Sequence, residues 1–334
     1  MAHSKRVEDF NIDELLHEVK LRENKEKLVH DIGEREIESV VVPNESENEA
    51  LGVFTTSEII EGIKEKQKAI YGVDDRMDVK DVVDQEICNA ADSVVALFEA
   101  TSVSDNGDGT STLKTKKFGT AYRLCSTEKF RNQPIGAFCS GFLVAPDIIA
   151  TAGHCITENN VTDIRFVFGF RMIDDSKART VISNSEIYQG AELIGIGHED
   201  GESEADWALV RLNRSVTNHK PLKIRRTEKI ADNESVYVIG HPVGLPTKYA
   251  DGANVRENGH NTYFVANLDT YGGNSGSPIF NSDHIVEGIL VRGATDFVMN
   301  GNCSVSLICS ASNCVGEVCT RTTVFANSVP IIND

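Results

Sequence analysis

The chain has 334 residues, 40% of them hydrophobic, and a formal net charge of −18. That length holds one large or two modest domains, and no apolar run approaches the ~18 residues of a membrane-spanning helix. So negative a balance argues against a nucleic-acid partner or an anionic membrane, and fits a globular protein that attracts cationic partners.

Residues 1–69 carry 17 acidic and 10 basic residues and no cysteine. Asn11 to about Val29 has a loose helical period, with Ile12, Leu15, Leu16 and Val19 on one side. Asn44-Glu45-Ser46-Glu47-Asn48-Glu49 reads as a loop. Thr55-Thr56-Ser57-Glu58 is a capping-box start for a helix to about Ala69. A partly helical N-terminal extension is therefore expected over 1–69. Lys64-Glu65-Lys66-Gln67-Lys68 adds an exposed basic stretch, so cleavage near Lys68–Ala69 would make the extension a propeptide. A solvated extension is the plainer alternative. The first ten residues contain no apolar signal core.

From about residue 90 the pattern turns to short β-branched and aromatic runs split by turn residues: Val94–Phe98, Ile164–Phe168, Val236–Ile239, Thr262–Val265 and Ile285–Val291. Many short strands predict a sandwich or barrels. No internal sequence repeat is visible. Asp105-Asn106-Gly107-Asp108-Gly109 reads as a hairpin turn, since the later ligands of a calcium loop are missing. Glu199 to Glu204 reads as a solvated acidic loop.

Three local strings carry chemistry. Gly141–Ala145 and Ile148–Ala152 read as a hairpin of half-buried strands, and His154 follows the second, between Gly153 and Cys155. In Ala205-Asp206-Trp207-Ala208-Leu209-Val210, a carboxylate stands at the start of an apolar strand, where it needs a partner to offset desolvation. In Gly272-Gly273-Asn274-Ser275-Gly276-Ser277-Pro278, a serine lies among glycines that leave backbone N–H groups uncovered. A nucleophilic Ser275 requires a base. The ordinary pKa of histidine, about 6.5, suits His154 to that task. Asp206 would then fix the imidazole tautomer and stabilise the imidazolium. Each member alone reads more simply as a structural residue; the three together do not.

These strings, in the order His, Asp, Ser, resemble the chymotrypsin/trypsin-like serine peptidases, over roughly residues 70–334. Asn274 before the serine is similar to the bacterial branch that includes the glutamyl endopeptidases, and Ala69–Arg76 resembles their mature start. The resemblance implies an all-β fold of two six-stranded antiparallel β-barrels, about 90–215 and 216–334, with the triad at their seam. It implies an endopeptidase acting through an acyl-enzyme on protein or peptide substrates, made as a zymogen and using no metal or cofactor. The oxyanion hole would be the amides of Gly273 and Ser275. Asn274 offers no charge to a new N-terminus, so the trypsin-type zymogen salt bridge is not expected.

Specificity follows from position. The residue six before the nucleophile is Asp269, which in this family lies at the pocket base and selects Arg or Lys. Thr270, Leu290 and Gly293 would complete the pocket. Glutamate specificity is the rival reading; it uses a histidine where this chain has Leu290. Arg292 stands near enough to pair with Asp269. His241 reads as structural. A non-catalytic binding protein on the same fold is the second class of function.

Eight cysteines are present. The resemblance implies a Cys139–Cys155 disulfide behind the histidine. Cys303, Cys309, Cys314 and Cys319 lack the tight spacing of a zinc knuckle and are expected to form two disulfides, with three pairings open. Cys88 and Cys125 would then pair with each other. Disulfides imply an oxidising compartment, so a secreted or periplasmic protein whose signal peptide is missing from the chain is expected; a cytosolic protein with reduced thiols is the alternative.

Overall fold

The computed structural model describes residues 18, 54–55, 70–71, 74–197, 205–292, 297–309 and 316–331, with residues 70, 71, 292, 308 and 309 described by their backbone alone. The chain divides into two compact units, Met1–Gln67 and Lys68–Asp334. The two helices expected in the first unit, and the acidic loop at 199–204, lie outside the described residues apart from single positions.

The second unit is built on twelve strands. Six come first: β1 (Val94–Glu99), β2 (Cys139–Ala145), β3 (Ile148–Thr151), β4 (Ile164–Phe168), β5 (Ile187–Gly197) and β6 (Trp207–Leu212). They close into an antiparallel barrel in the order β4-β5-β6-β3-β2-β1, with β1 pairing back onto β4. Six more follow: β7 (Ser235–Gly240), β8 (Lys248–Glu257), β9 (Tyr263–Ala266), β10 (Pro278–Asn281), β11 (Val286–Arg292) and β12 (Glu317–Arg321). Their order is β7-β10-β11-β12-β9-β8, and β7–β8 pairing closes the ring. The two barrels share one connection scheme, although their sequences show no repeat. Closure pairs the first and last strands of each ring and so removes most of the sheet edge.

The strands form where apolar residues run in short blocks. β2 and β3 are buried along their whole length, and Phe142 pairs with Ala150 across their hairpin. Phe142, Phe166 and Leu209 fill the first barrel; Phe264, Ile279 and Leu290 fill the second. The Asp105–Gly109 string makes the expected hairpin turn, with Asp105 Oδ1 accepting from the Gly107 amide at 2.9 Å.

A short strand at Met77–Asp78 adds to β8 from outside the ring. Its neighbourhood is highly charged and largely buried. Lys248, 2% exposed, lies 2.6 Å from Asp78 Oδ1. Burial pushes its ammonium down to about 8 against the pull of Asp78. Arg76 forms a two-pronged pair with Asp74, both bonds 2.8 Å, and its guanidinium stacks 3.7 Å from the centre of the Tyr271 ring. Burial works against the Asp74 carboxylate, but Arg76 outweighs it and holds Asp74 below the usual carboxylate range.

The disulfides correct part of the sequence reading. Cys139 and Cys155 are joined as expected. Cys125, however, pairs with Cys303 across 178 positions. The expected Cys88–Cys125 pair is therefore not formed, and Cys319 is buried in the second barrel. The Cys125–Cys303 bridge sits where the 118–131 segment meets the 297–306 hairpin; Leu124 bridges to Ser304 beside it. No spacing rule could have chosen that pair, because tertiary packing brings the two loops together. The Sγ positions of Cys309 and Cys314 lie outside the described residues.

Candidate active site

His154 and Asp206 are brought together by the pairing of β3 with β6, in which Thr151 faces Ala208. Just past β3 the chain makes a single 3-10 turn, Gly153–Cys155. Gly153 is required there, because a Cβ would fall 2.4 Å from Gly197 O and 2.9 Å from Asp206 Oδ1. Asp206 is 1% exposed. Its Oδ2 lies 2.6 Å from His154 Nδ1, and its Oδ1 accepts from the His154 amide at 3.1 Å. The Asp206 amide donates to Thr320 Oγ1 of the second barrel at 3.2 Å. With Nδ1–H directed at a carboxylate, the neutral imidazole keeps its basic nitrogen at Nε2.

Ser275 sits in a loop made of two successive β-turns. Asn274 N–H bonds to Tyr271 O at 3.1 Å, and Gly273 occupies the third position of that turn with φ +79°. Ser277 N–H bonds to Asn274 O at 3.0 Å, and Gly276 occupies the third position of the next turn with φ +91°. Type II turns require a positive φ at that place, which glycine supplies. Both glycines of the motif are thus explained by backbone geometry. Asn274 is buried, and its Oδ1 accepts from Ser277 Oγ at 3.1 Å.

The turns also orient the amides. In a trans peptide the N–H points opposite to the C=O, and the described residues contain no cis bond. Gly272 O is held by Val243 N–H at 2.5 Å, so Gly273 N–H points the other way. Asn274 O is held by Ser277 N–H, which sets Ser275 N–H likewise. Among the described residues neither amide donates to a protein acceptor. Gly273, Ser275 and His154 line one cleft of about 780 Å³, together with the disulfide-bonded Cys139 and Cys155.

The pocket residues expected from sequence are placed as follows. Asp269 is 3% exposed, and its Oδ2 accepts from Asp75 N–H at 3.3 Å. Burial, and next the Asp269 charge, push the Asp75 carboxyl up to about 7. Thr270 is fully buried. The Leu290 side chain packs into the core of the second barrel, while its amide and carbonyl bond to Ser277 O and Gly276 N. Gly293 and the Arg292 side chain lie outside the described residues. His241 is buried, donates from Nδ1 to Leu245 O at 2.9 Å and stacks on Phe170. Burial pushes its pKa down to about 4, as suits a structural, neutral ring. Cys139, His154 and Cys155 bring three potential ligand atoms within 4.8 Å of one another, but two of these are the disulfide sulfurs.

Sequence reasoning missed Ser140, Tyr271 and Lys248. Each acts through a tertiary contact that no local pattern encodes. The only available signal was proximity: Ser140 follows Cys139, and Tyr271 lies four residues before Ser275.

Comparisons with known proteins agree with this architecture. Residues 139–289 match the family model described as a trypsin-like peptidase domain, and the two closed barrels have the trypsin-like fold. Residues 139–289 are thus similar to trypsin-like peptidase domains. A glutamyl endopeptidase of Bacillus licheniformis is 24% identical over 147 residues, 42% of this chain and 45% of that protein. The matched stretch therefore spans less than half the length of that relative. A solved structure of a Glu endopeptidase in complex with MPD covers 78% of this chain and 97% of its own at a TM-score of 0.47 and 16% identity.

Proposed function

We propose that the chain is a serine endopeptidase that hydrolyses peptide bonds through an acyl-enzyme. The observation that carries this reading is the 2.6 Å contact between His154 Nδ1 and buried Asp206, in a cleft shared with Ser275. Ser275 Oγ attacks the substrate carbonyl carbon while His154 Nε2 takes its proton. The oxyanion meets the amides of Gly273 and Ser275. Collapse breaks the C–N bond, and His154 returns the proton to the leaving amine. Water, deprotonated by His154, then hydrolyses the ester. Asp206 stabilises the imidazolium in both halves.

Cleavage after Arg or Lys is the finer reading, supported by the Asp269 carboxylate six residues before Ser275. Asp75 shares that buried site, and a carboxyl pair holding one proton still presents negative charge to a cationic side chain. Cleavage after glutamate is the second reading, favoured by the name of the Bacillus relative and opposed by Leu290 in place of the expected histidine. Residues 1–69 would act as a propeptide; the division between compact units at Gln67/Lys68 supports processing near Lys68–Ala69. Two disulfides support an oxidising compartment. No helix among the described residues is long and apolar enough to cross a membrane.

A peptide library incubated with purified protein and read by mass spectrometry tests these readings together. Cleavage after Arg/Lys that vanishes in Ser275→Ala is expected, with Asp269→Ser lowering the basic preference. Cleavage after Glu would select the rival. No cleavage, with no fluorophosphonate labelling at Ser275 after processing, would favour a binding protein.

A further inference from the structure

The Ser275 loop is rich in conformational freedom. Gly272, Gly273 and Gly276 carry no Cβ, and two of them use a positive φ. Such a chain loses much entropy on being fixed. An oxyanion hole works only if its donors are fixed in advance, since a loop that must reorganise during the reaction forfeits the electrostatic gain. The restraint must therefore come from outside the loop.

Ser140 supplies bonds of the required kind. It lies in β2 of the first barrel and is 0% exposed. Its amide donates to Ser275 O at 2.8 Å. Its hydroxyl donates to Gly273 O at 3.2 Å and accepts from His241 N–H at 3.0 Å. Its carbonyl accepts from Thr151 Oγ1 at 2.7 Å and lies so near the loop that a Cβ on Gly276 would fall 2.0 Å from it. The carbonyls of Gly273 and Ser275 belong to the peptide planes on either side of the plane carrying Ser275 N–H. Gripping both fixes the plane between. The hydroxyl is committed as donor and acceptor at once, so no other side-chain oxygen is needed to complete the relay.

We propose that Ser140 is a positioning residue for the oxyanion hole: its amide and hydroxyl clamp the carbonyls of Ser275 and Gly273 from the first barrel, and so hold the two oxyanion amides toward the cleft. The proposal rests on the reading of Ser275 as the nucleophile. Removing the hydroxyl leaves Gly273 O without its donor and the buried His241 N–H unmatched, which loosens the loop without touching Ser275, His154 or Asp206.

The test uses the full processed chain and Ser140→Ala, with Ser140→Cys, whose thiol bonds weakly, where the alanine variant fails to fold. Two peptide esters are compared, one with a carbonyl and one with a thiocarbonyl at the scissile position, because sulfur accepts hydrogen bonds poorly. Ser140→Ala should lower kcat for the oxo ester roughly ten- to hundredfold, short of the 10²–10³ typical of losing an oxyanion donor outright. KM should stay within about twofold. The thiono ester should lose far less, so the oxo/thiono ratio shrinks; a merely structural loss would lower both alike. In ¹⁵N-glycine-labelled protein the Gly273 amide resonance should shift or broaden. Equal losses on both esters, an unchanged kcat, or an unmoved Gly273 resonance would overturn the proposal. If the parent cleaves neither ester, the nucleophile reading has failed, and the Gly273 resonance, recorded in a Ser275→Ala background, still decides whether Ser140 sets the loop.

Discussion

Asp206 grips His154 twice, once at ring Nδ1 and once at the backbone amide, at 2.6 and 3.1 Å. Both carboxylate oxygens are thereby used on one residue, so ring rotation and backbone drift are restrained together. An isosteric amide cannot reproduce this. Asn at 206 can accept at only one oxygen and would present a donor toward Nδ1, favouring the wrong tautomer. Asp206→Asn should lower kcat by about 10⁴-fold, the scale seen when this change is made in serine-peptidase triads. Steady-state kinetics beside a thermal melt checks this: a loss matched by unfolding would remove the tautomer argument.

Gly276→Ala meets two obstacles at once. The φ of +91° is strained for alanine, and the new Cβ would lie 2.0 Å from Ser140 O and 2.3 Å from Thr151 Oγ1. Strain and overpacking together should destabilise the fold by about 2–5 kcal/mol. Gly259→Ala is the matched control, since nothing lies within 4 Å of its Cβ position. Urea unfolding of the two variants should separate them clearly, with Gly259→Ala near the parent.

Arg76 is 1% exposed and answers to Asp74 and Tyr271 at once. Arg76→Ala leaves the Asp74 carboxylate only Lys129, 3.8 Å away, as a cationic partner, and uncovers the Tyr271 ring, which leads into the Ser275 loop. Breaking one side of a buried pair costs about 3–5 kcal/mol. Arg76→Lys should recover only part of this, because an ammonium cannot make the two-pronged bond or the planar stack. Denaturant midpoints of the two variants provide the comparison, and equal midpoints would show that the fork geometry is unimportant.

Asp75 makes a pH-dependent contribution of predictable sign. Its folded pKa is raised to about 7 from an ordinary 3.8. The folded state therefore binds more protons than the unfolded state between those values, and stability falls as pH rises. The contribution is fully present below about pH 4 and is lost as pH climbs through 7. Asp75→Asn should flatten this slope and raise the melting temperature relative to the parent at pH 8 more than at pH 5. Parallel melting curves for parent and variant across that range would contradict the assignment to Asp75.

The strands were legible in the sequence because each is local, and so were the strings that carry His154, Asp206 and Ser275. Apolar blocks such as Ile148–Thr151 specify buried strands, and His154 and Asp206 stand at strand ends where a polar residue needs a specific reason. The hairpin at Asp105–Gly109 follows from turn chemistry alone. The two six-stranded barrels were expected from the family resemblance; that both follow one path was not legible, because the two halves repeat a path and not a sequence. The Cys125–Cys303 pair was missed for a related reason: spacing governs short loops, whereas 178 positions can be closed only by a completed fold. Asp269 shows the same limit. Its position six before Ser275 is a matter of counting, but its contact with Asp75 depends on the 74–78 segment docking beside β8.

The disulfide between Cys125 and Cys303 turns more than half of the 334-residue chain into a covalent ring. His154, Asp206 and Ser275 all lie on that ring. One cut in any surface loop from 126 to 302 would open it without releasing a fragment, so a nicked molecule would keep its mass until a reductant was added. A protein exposed to peptidases would in this way survive a first cleavage in one piece.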